Sequence, residues 1–232
     1  MNKYTYRLDD RTIEIHRCIY DAMKSNMFII MHNYEALIFD PCEDSDALEL
    51  LMKYGTKNIY IFLTHEHHDH VTGVNWLKEN IRSKIYCQEE CRKSLLRGWN
   101  KVPALTAMVL SQQDKIDGGK RYELLKKDFR PFNIKADVSF IDETIYNLCE
   151  LSIKAKPTPG HSPGSTCYSI AGKIVFTGDS LLQNNSVITR FRNSNKNIFE
   201  EVTLPFLRSL PKDTIIMPGH GDPFVLKDTE YV

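Results

Sequence analysis

The chain has 232 residues, enough for one large domain with a full hydrophobic core. Its 30 basic and 30 acidic side chains cancel, which excludes a net charge that would indicate a nucleic-acid or membrane-surface partner. The opening residues are polar and charged, unlike a signal peptide, and no stretch approaches the roughly 20 apolar residues of a membrane span. Six scattered cysteines, none in C-x-x-C spacing, fit reduced thiols, so we expect a cytoplasmic protein.

Strands and helices alternate in the first half of the chain. An apolar run over residues 27–39, interrupted at His32-Asn33, predicts a hairpin. Asp44-Ser45 can cap the following helix, and Gly55 is a suitable end for it. The next predicted elements are a buried strand Ile59–Leu63, a helix through Val71, Val74, Trp76 and Leu77, a strand Ile85–Cys87 and a helix over 88–97. This β-α-β-α order predicts helices packed outside a sheet.

The region from Trp99 to about Lys135 differs from the rest of the chain. It is rich in lysine and arginine, contains Gly118-Gly119 and Pro131, and has weak periodicity. Two interpretations stay open, because long segments of this kind are either solvated insertions or functional loops. In the second interpretation the region is a lid or substrate wall that carries Trp99, Tyr122, Phe129 and Arg130.

The second half of the chain has mainly β-type patterns. The predicted strands are Phe140-Ile141, Tyr146–Ala155, Thr166–Ile170, Lys173–Thr177 and Thr214–Met217. One helix is predicted over Asn197–Leu210, with Asn197 and Glu200 in capping-box spacing and a kink at Pro205.

A histidine run follows the buried strand Ile59–Leu63 and reads T-H-E-H-H-D-H. In extended geometry, His65 and His67 point to one side of the chain, and Glu66 and His68 point to the other. Asp69 and His70 then stand where a helix could begin, so four metal-binding residue types can converge from one turn. A histidine-rich surface loop and a mononuclear site with two histidines are the alternatives, and the number of metal ions is open at this point.

Three further candidate ligands share one local pattern, in which a strand is followed by a glycine and then by the ligand. They are His161 in P-G-H-S-P-G, Asp179 in T-G-D-S and His220 in P-G-H-G-D-P. A lone histidine of this kind is more often structural than a ligand. Three strand-end candidates together with the histidine run favour a metal site at the carboxyl ends of the strands.

The motifs T-H-x-H-x-D-H, G-H-S-P-G, G-D and P-G-H-G, in this order, resemble those of the metallo-β-lactamase-fold hydrolase superfamily, from about Asn26 to Pro223. The resemblance implies an α+β fold, a four-layer αββα sandwich with two sheets face to face and helices outside. It also implies a single domain over 1–232, with the insertion or lid at about 99–135.

The same resemblance implies a dinuclear metal centre. One metal ion would be held by His65, His67 and His161, the other by Asp69, His70 and His220, and Asp179 would bridge them. Asp40, after an early strand, would orient one of the ligands, as carboxylates near metal-bound imidazole do. The donors suit two zinc ions, with iron or manganese as alternatives.

These features predict a hydrolase in which a hydroxide shared by two metal ions attacks a small ester, thioester or lactone. Asp69 and Asp179 are the expected catalytic carboxylates, and Asp179 would hold the metal pair and orient the hydroxide proton. The alternatives are a mononuclear-iron persulfide dioxygenase, a ribonuclease Z-like phosphodiesterase, which the zero net charge disfavours, and a non-catalytic metal-binding protein. Penicillin hydrolysis is disfavoured, because the main zinc β-lactamases carry cysteine at the position of Asp179.

The segment after Asp179 contains the candidate substrate contacts Asn184, Asn185, Arg190 and Arg192. Arginines suit a carboxylate or phosphate on a substrate, although a solvated loop explains the same composition. The expected partner is therefore a small-molecule substrate, with neither nucleic acid nor membrane, and the oligomeric state is not predicted. A glutathione thioester is disfavoured, because few residues follow His220 where long glyoxalase II enzymes have a glutathione-binding domain.

Overall fold

Two β-sheets form the centre of the computed structural model, which describes residues 1–8, 11–96, 104–128, 133–191, 193–230 and 232. The first sheet contains β1 (Asn2–Leu8), β2 (Arg11–Tyr20), β3 (Ser25–His32), β4 (Glu35–Phe39), β5 (Asn58–Phe62), β6 (Ser83–Gln88) and β7 (Val138–Phe140). The second contains β8 (Thr144–Leu148), β9 (Leu151–Pro157), β10 (Thr166–Ile170), β11 (Ile174–Gly178), β12 (Ile215–Pro218) and β13 (Phe224–Val225).

Both sheets are mixed. Strands of the first sheet lie in chain order, antiparallel from β1 to β4 and parallel from β4 to β7. The second sheet has the order β13-β12-β11-β10-β9-β8, and its one parallel pair among the described strands is β11 with β12. Parallel neighbours end at the same edge of a sheet, which matters for the residues that follow β4, β5, β11 and β12.

Helices cover the outer faces of the two sheets. They are α1 (Ser45–Lys53), α2 (Val74–Asn80), α3 (Glu89–Leu96), α4 (Ala104–Asp117), α5 (Arg121–Asp128), α6 (Lys196–Ile198) and α7 (Leu204–Ser209). Short turns of other helical types are a 3₁₀ turn at His68–His70, a π-helical turn at Phe199–Thr203 and a second 3₁₀ turn at Leu226–Asp228. No helix in the described part of the chain is both long and apolar enough to cross a membrane.

Three apolar clusters separate the layers. The central cluster joins the two sheets, and in it the rings of Phe39 and Phe176 stack with centroids 3.7 Å apart. A second cluster lies between the first sheet and its helices, to which Leu110 and Leu125 of α4 and α5 contribute. The third lies between the second sheet and α7, around Leu207. This helix-sheet-sheet-helix order confirms the predicted αββα sandwich.

Turn positions account for two differences from the predicted strands. The chain reverses at Cys149-Glu150, where both residues have positive φ (52° and 55°). The prediction of a single strand over Tyr146–Ala155 is therefore wrong, because these residues belong to the hairpin β8-β9. Neither residue is a usual turn former, and the apolar pattern continues through them. The turn of the β3-β4 hairpin lies at Asn33-Tyr34, one residue later than predicted. The strands β1 and β2 have no counterpart in the predicted elements.

Two predicted helix starts are also displaced. The histidine run forms a 3₁₀ turn rather than the start of a helix, and α2 begins at Val74. The cap of α6 is Asn195 rather than Asn197, because the Asn195 side chain accepts from the backbone N–H of Ile198 at 3.1 Å. The predicted kink is a π-helical turn directly before Pro205, where the Leu204 N–H reaches the Phe199 carbonyl.

The region between Trp99 and Lys135 contains the helices α4 and α5, which pack on the cluster under the first sheet. Tyr122 packs against the same cluster, and Arg121 pairs with Asp114 at 3.2 Å and with Asp117 at 2.7 Å. The other residues predicted for a substrate wall, Trp99, Phe129 and Arg130, lie outside the described residues. A role for this region as a lid stays a prediction.

Candidate metal centre

The candidate ligands follow strands that end at one edge of the sandwich. Asp40 follows β4 and the histidine run follows β5, and these two strands are parallel neighbours in the first sheet. Asp179 follows β11, and His220 follows its parallel neighbour β12 in the second sheet. His161 follows β9, which runs in the same direction as β11 because both are antiparallel to β10. The fold therefore brings these side chains to one place.

Three groups of three side chains in the described part of the chain could hold a metal ion. One of them combines Asp40 with His65 and His70, and the other two contain only predicted ligands. His65, His67 and His161 offer nitrogen atoms that lie within 4.8 Å of one another, and we call them the first triad. Asp69, His70 and His220 meet the same limit, and we call them the second triad. In the second triad, Asp69 Oδ2 is 3.4 Å from His70 Nε2 and 3.3 Å from His220 Nε2. All seven predicted ligands except Asp179 thus belong to one triad or the other.

Asp179 lies between the triads. Its Oδ2 is 3.5 Å from Nε2 of His161 in the first triad and 3.6 Å from Nε2 of His220 in the second. Its Oδ1 is 3.5 Å from Nε2 of His70. One carboxylate therefore faces both triads, which is the arrangement expected of a bridging ligand.

The hydrogen bonds on the outer side of the imidazoles determine which nitrogen faces inward. His70 Nδ1 donates to Asp40 Oδ2 at 2.9 Å. His161 Nδ1 donates to the Ile188 carbonyl at 2.9 Å. His65 Nδ1 is 3.0 Å from the Thr64 hydroxyl, whose own proton goes to Asp40, so Nδ1 of His65 must be the donor. Each of these rings therefore carries a proton on Nδ1 and directs Nε2 into the site.

The donor atoms fit bound metal ions. Nε2 of His65, Nε2 of His70 and Oδ1 of Asp179 are buried without a hydrogen-bond partner. His161 Nε2 lies 3.0 Å from Nδ1 of His67, and two imidazole nitrogens this close need a proton or a cation between them. Five imidazoles and two carboxylates form a donor set suited to zinc or iron.

Burial and nearby charges set the protonation of these groups. Burial lowers the pKa of His67 to about 3 and that of His65 well below its usual value, so both rings are neutral. Burial raises the pKa of Asp179, but His220, His70 and His161 outweigh it and lower the pKa below its ordinary value. Burial alone would lower the pKa of His70, but the negative charges of Asp69, Asp179 and Asp40 outweigh this effect and raise the pKa well above its usual value. Three carboxylates thus favour positive charge at this position, whether a proton or a metal ion carries it.

Comparison with known proteins agrees with this geometry. The sequence model of the metallo-beta-lactamase superfamily matches residues 20–220. The chain belongs to this superfamily. It is 24% identical over 205 residues to the probable metallo-hydrolase YqgX of Bacillus subtilis, with 86% of each chain covered. It is also 27% identical over 192 residues to glo2, a probable hydroxyacylglutathione hydrolase of Schizosaccharomyces pombe. That alignment covers 79% of this chain but only 57% of glo2.

Solved structures share the metallo-β-lactamase fold. BLEG-1, described as a B3 metallo-beta-lactamase, aligns with a TM-score of 0.68 at 25% identity. The alignment covers 92% of this chain and 95% of the BLEG-1 chain. TTHA1623, solved in a di-iron-bound form, aligns with a TM-score of 0.67 at 19% identity. The alignment covers 94% of this chain and 100% of the TTHA1623 chain. Membership assigns the chain to a superfamily of metal-dependent hydrolases.

Two glycines permit the close packing of this metallo-β-lactamase site. Gly178 has a φ of +49°, and a Cβ there would collide with the side chain of Thr64. A Cβ at Gly219 would collide with Oδ1 of Asp179 and approach Cε1 of His70 to 2.8 Å. The glycine before each of these ligands is therefore required by backbone conformation or by space.

Glu66, which the sequence predicts to point away from His65 and His67, forms a structural contact outside the triads. Its carboxylate accepts a hydrogen bond from the Ser162 hydroxyl at 2.9 Å, and Ser162 follows His161 directly. Ser165 continues the network with a hydroxyl 3.0 Å from that of Ser162. Glu66 thereby joins the histidine run to the loop that carries His161. His68 lies in neither triad.

The segment after Asp179 lies beside the first triad. The predicted substrate residues Asn184, Asn185 and Arg190 are exposed on it, and Arg192 lies outside the described residues. The sequence prediction missed Phe191, whose ring centroid lies 5.3 Å from that of His67 and 5.7 Å from that of His161. An aromatic residue between two arginines, soon after a strand-end ligand, was the available signal.

Replacing Asp40 with asparagine should weaken metal binding at the second triad by about 10–100-fold, the usual effect of losing a partner that orients a ligand. Asp40 has a φ of +53°, which asparagine tolerates, so the change removes the charge that orients His70 without new backbone strain. Asp44→Asn is the matched control, since asparagine caps helix α1 as well as aspartate does. Equal metal affinity in Asp40→Asn and Asp44→Asn, measured by chelator competition, would contradict the orienting role.

Proposed function

We propose that this chain is a dinuclear metal-dependent hydrolase of small ester, thioester or lactone substrates. The observation that carries the proposal is the position of Asp179, whose carboxylate faces an imidazole of the first triad and two of the second. A mononuclear site would need only one triad. Two complete triads with a shared carboxylate supply donors for two metal ions, as a two-metal hydrolase needs.

Two divalent cations bound here would supply a water molecule activated towards hydroxide at neutral pH and would polarise the attacked carbonyl. The protein groups hold these donors in place. Asp40 and the Ile188 carbonyl keep His70 and His161 in the tautomer that presents Nε2. Asp179 and Asp69, both ionised because nearby imidazoles outweigh the effect of burial on their pKa values, are the groups able to accept a proton from the attacking water.

Thioesters are the substrate class that we test first. One relative is named for hydrolysis of an acyl-glutathione thioester, but this chain spans 57% of that relative, so its activity is carried over only as a hypothesis. The wall beside the first triad suits an acyl group, because Phe191 and the exposed side chain of Ile188 are apolar. The exposed Arg190 would contact an acidic group on the substrate.

The test is steady-state turnover of the zinc-loaded chain on acyl thioesters, esters, lactones, a β-lactam and a phosphodiester. We expect the highest kcat/KM on a thioester, ester or lactone. Phe191→Leu should raise KM about fivefold, because an aromatic contact contributes about 1 kcal/mol beyond its area. Tyr34→Leu, at the β3-β4 turn, is the control and should leave KM unchanged. A β-lactam or phosphodiester as the only substrate would overturn the proposed substrate class.

A further inference from the structure

Two buried polar residues lie on the inner face of the first sheet, beneath the loop that carries His220. Arg17 of β2 and Asn26 of β3 are 4% and 1% exposed. Arg17 Nε donates to Asn26 Oδ1 at 2.8 Å. This bond fixes the orientation of the amide, since Oδ1 must face Arg17 and Nδ2 must then face away from it.

Asn26 directs its donors to the loop Pro218–Asp222. Its Nδ2 donates to the carbonyls of Pro218 at 2.9 Å and of Gly221 at 2.8 Å, and its backbone N–H donates to the Gly219 carbonyl at 2.7 Å. Three carbonyls that surround His220 in sequence are therefore held by one residue. The loop has two glycines, so without these bonds its backbone would have wide conformational freedom.

The neighbouring residue holds another member of the second triad. The Ser25 hydroxyl donates to the backbone carbonyl of Asp69 at 2.8 Å, and Ser25 also forms an isolated β-bridge with His220. Asp222 reaches Arg17 from the solvent side at 2.5 Å, with a side chain that is 81% exposed. The first triad receives its support elsewhere, from Glu66, Ser162 and the Ile188 carbonyl.

We propose that Arg17 and Asn26 are positioning residues that set the metal affinity of the second triad separately from that of the first. The inference rests on the proposed two-metal centre and adds which residues control its second position. Arg17 orients the Asn26 amide, the amide holds the loop, and the loop holds His220 within 3.3 Å of Asp69. Neither residue touches a candidate ligand side chain of the first triad among the described contacts.

Asn26→Asp tests the proposal with an isosteric change. It keeps the oxygen that accepts from Arg17, but it turns the donor of two hydrogen bonds into an acceptor that faces two carbonyls. Zinc titration against a chelating indicator should show the affinity for one of the two ions lowered by about 10–100-fold and the affinity for the other unchanged. His220→Ala identifies the position by giving the same pattern. Asn147→Asp, the same substitution at an exposed position of β8, is the control and should bind both ions as the unmodified chain does.

Two outcomes would overturn the proposal: Asn26→Asp binding both ions with unchanged affinity, or losing both to the same extent. A second measurement does not depend on metal. In the metal-free chain, amide hydrogen exchange over residues 218–222 should accelerate at least about tenfold in Asn26→Asp and not in Asn147→Asp. If the unmodified chain binds a single ion, the proposed two-metal function fails. Unchanged exchange in Asn26→Asp would instead refute the proposal that Asn26 holds the loop Pro218–Asp222.

Discussion

Asp179→Asn should lower kcat/KM for hydrolysis by about a thousandfold, which corresponds to about 4 kcal/mol of transition-state stabilisation. The variant keeps the size of the side chain but removes the charge that faces His70, His161 and His220 at 3.5–3.6 Å. Because both triads share this carboxylate, its neutralisation should weaken both metal positions at once. We therefore expect fewer than two bound ions per chain, measured by elemental analysis after dialysis, together with the loss of activity.

The matched control for this change is Asp213→Asn, which makes the same substitution at an exposed position just before β12. It should retain both ions and full activity, because its carboxylate contributes to neither triad. Comparison with His67→Ala distinguishes a bridging ligand from a ligand of one ion. Removal of a first-triad ligand should mainly reduce the binding of one of the two ions. An Asp179→Asn variant with two ions and unchanged kcat/KM would contradict the bridging role.

The candidate ligands could be located from the sequence because each combines two local signals. His65, His161, Asp179 and His220 are residue types that bind metals, and each follows a stretch with the pattern of a β-strand. Once the strands are known, the parallel pairs β4-β5 and β11-β12 bring their carboxyl ends together, so little further information is needed. The layer order was accessible only through resemblance, because strand patterns do not specify which sheet a strand joins.

The residues that support the site could not be found in this way. Asn26 bonds to Pro218 across 192 positions of sequence, and a polar residue at the start of a strand has no spacing pattern that indicates such a partner. Phe191 has the same difficulty, because its loop has no regular structure and its contact with His67 depends on tertiary packing. The Cys149-Glu150 turn was missed because tertiary structure imposes positive φ on residues that seldom adopt it.

Metal removal is the prediction with the largest expected effect on stability. A chelator should abolish hydrolysis and lower Tm by about 10 °C. The candidate ligands Asp69 and Asp179 lose their cations. Each of the two ions contributes about 2 kcal/mol at a free-ion concentration about thirtyfold above its Kd, so the folded state loses about 4 kcal/mol of ligand binding. For a chain of this length, each kcal/mol shifts Tm by about 2–4 °C. Differential scanning calorimetry before and after chelation measures the change.

The identity and number of ions that restore the stability and activity of the metal-free chain distinguish the hydrolase from the persulfide dioxygenase. Zinc, iron and manganese should be added separately to the metal-free chain, with Tm, metal content and turnover measured for each. Two ions per chain with restored hydrolysis support the hydrolase, whereas one iron per chain with oxygen-dependent turnover of a persulfide would support the dioxygenase alternative. His220→Ala provides an internal comparison, because with the second triad incomplete its Tm should fall by only about half as much on chelation. Unchanged Tm and full hydrolysis in the metal-free chain would contradict both functions, since neither triad would then hold a cation that the protein needs.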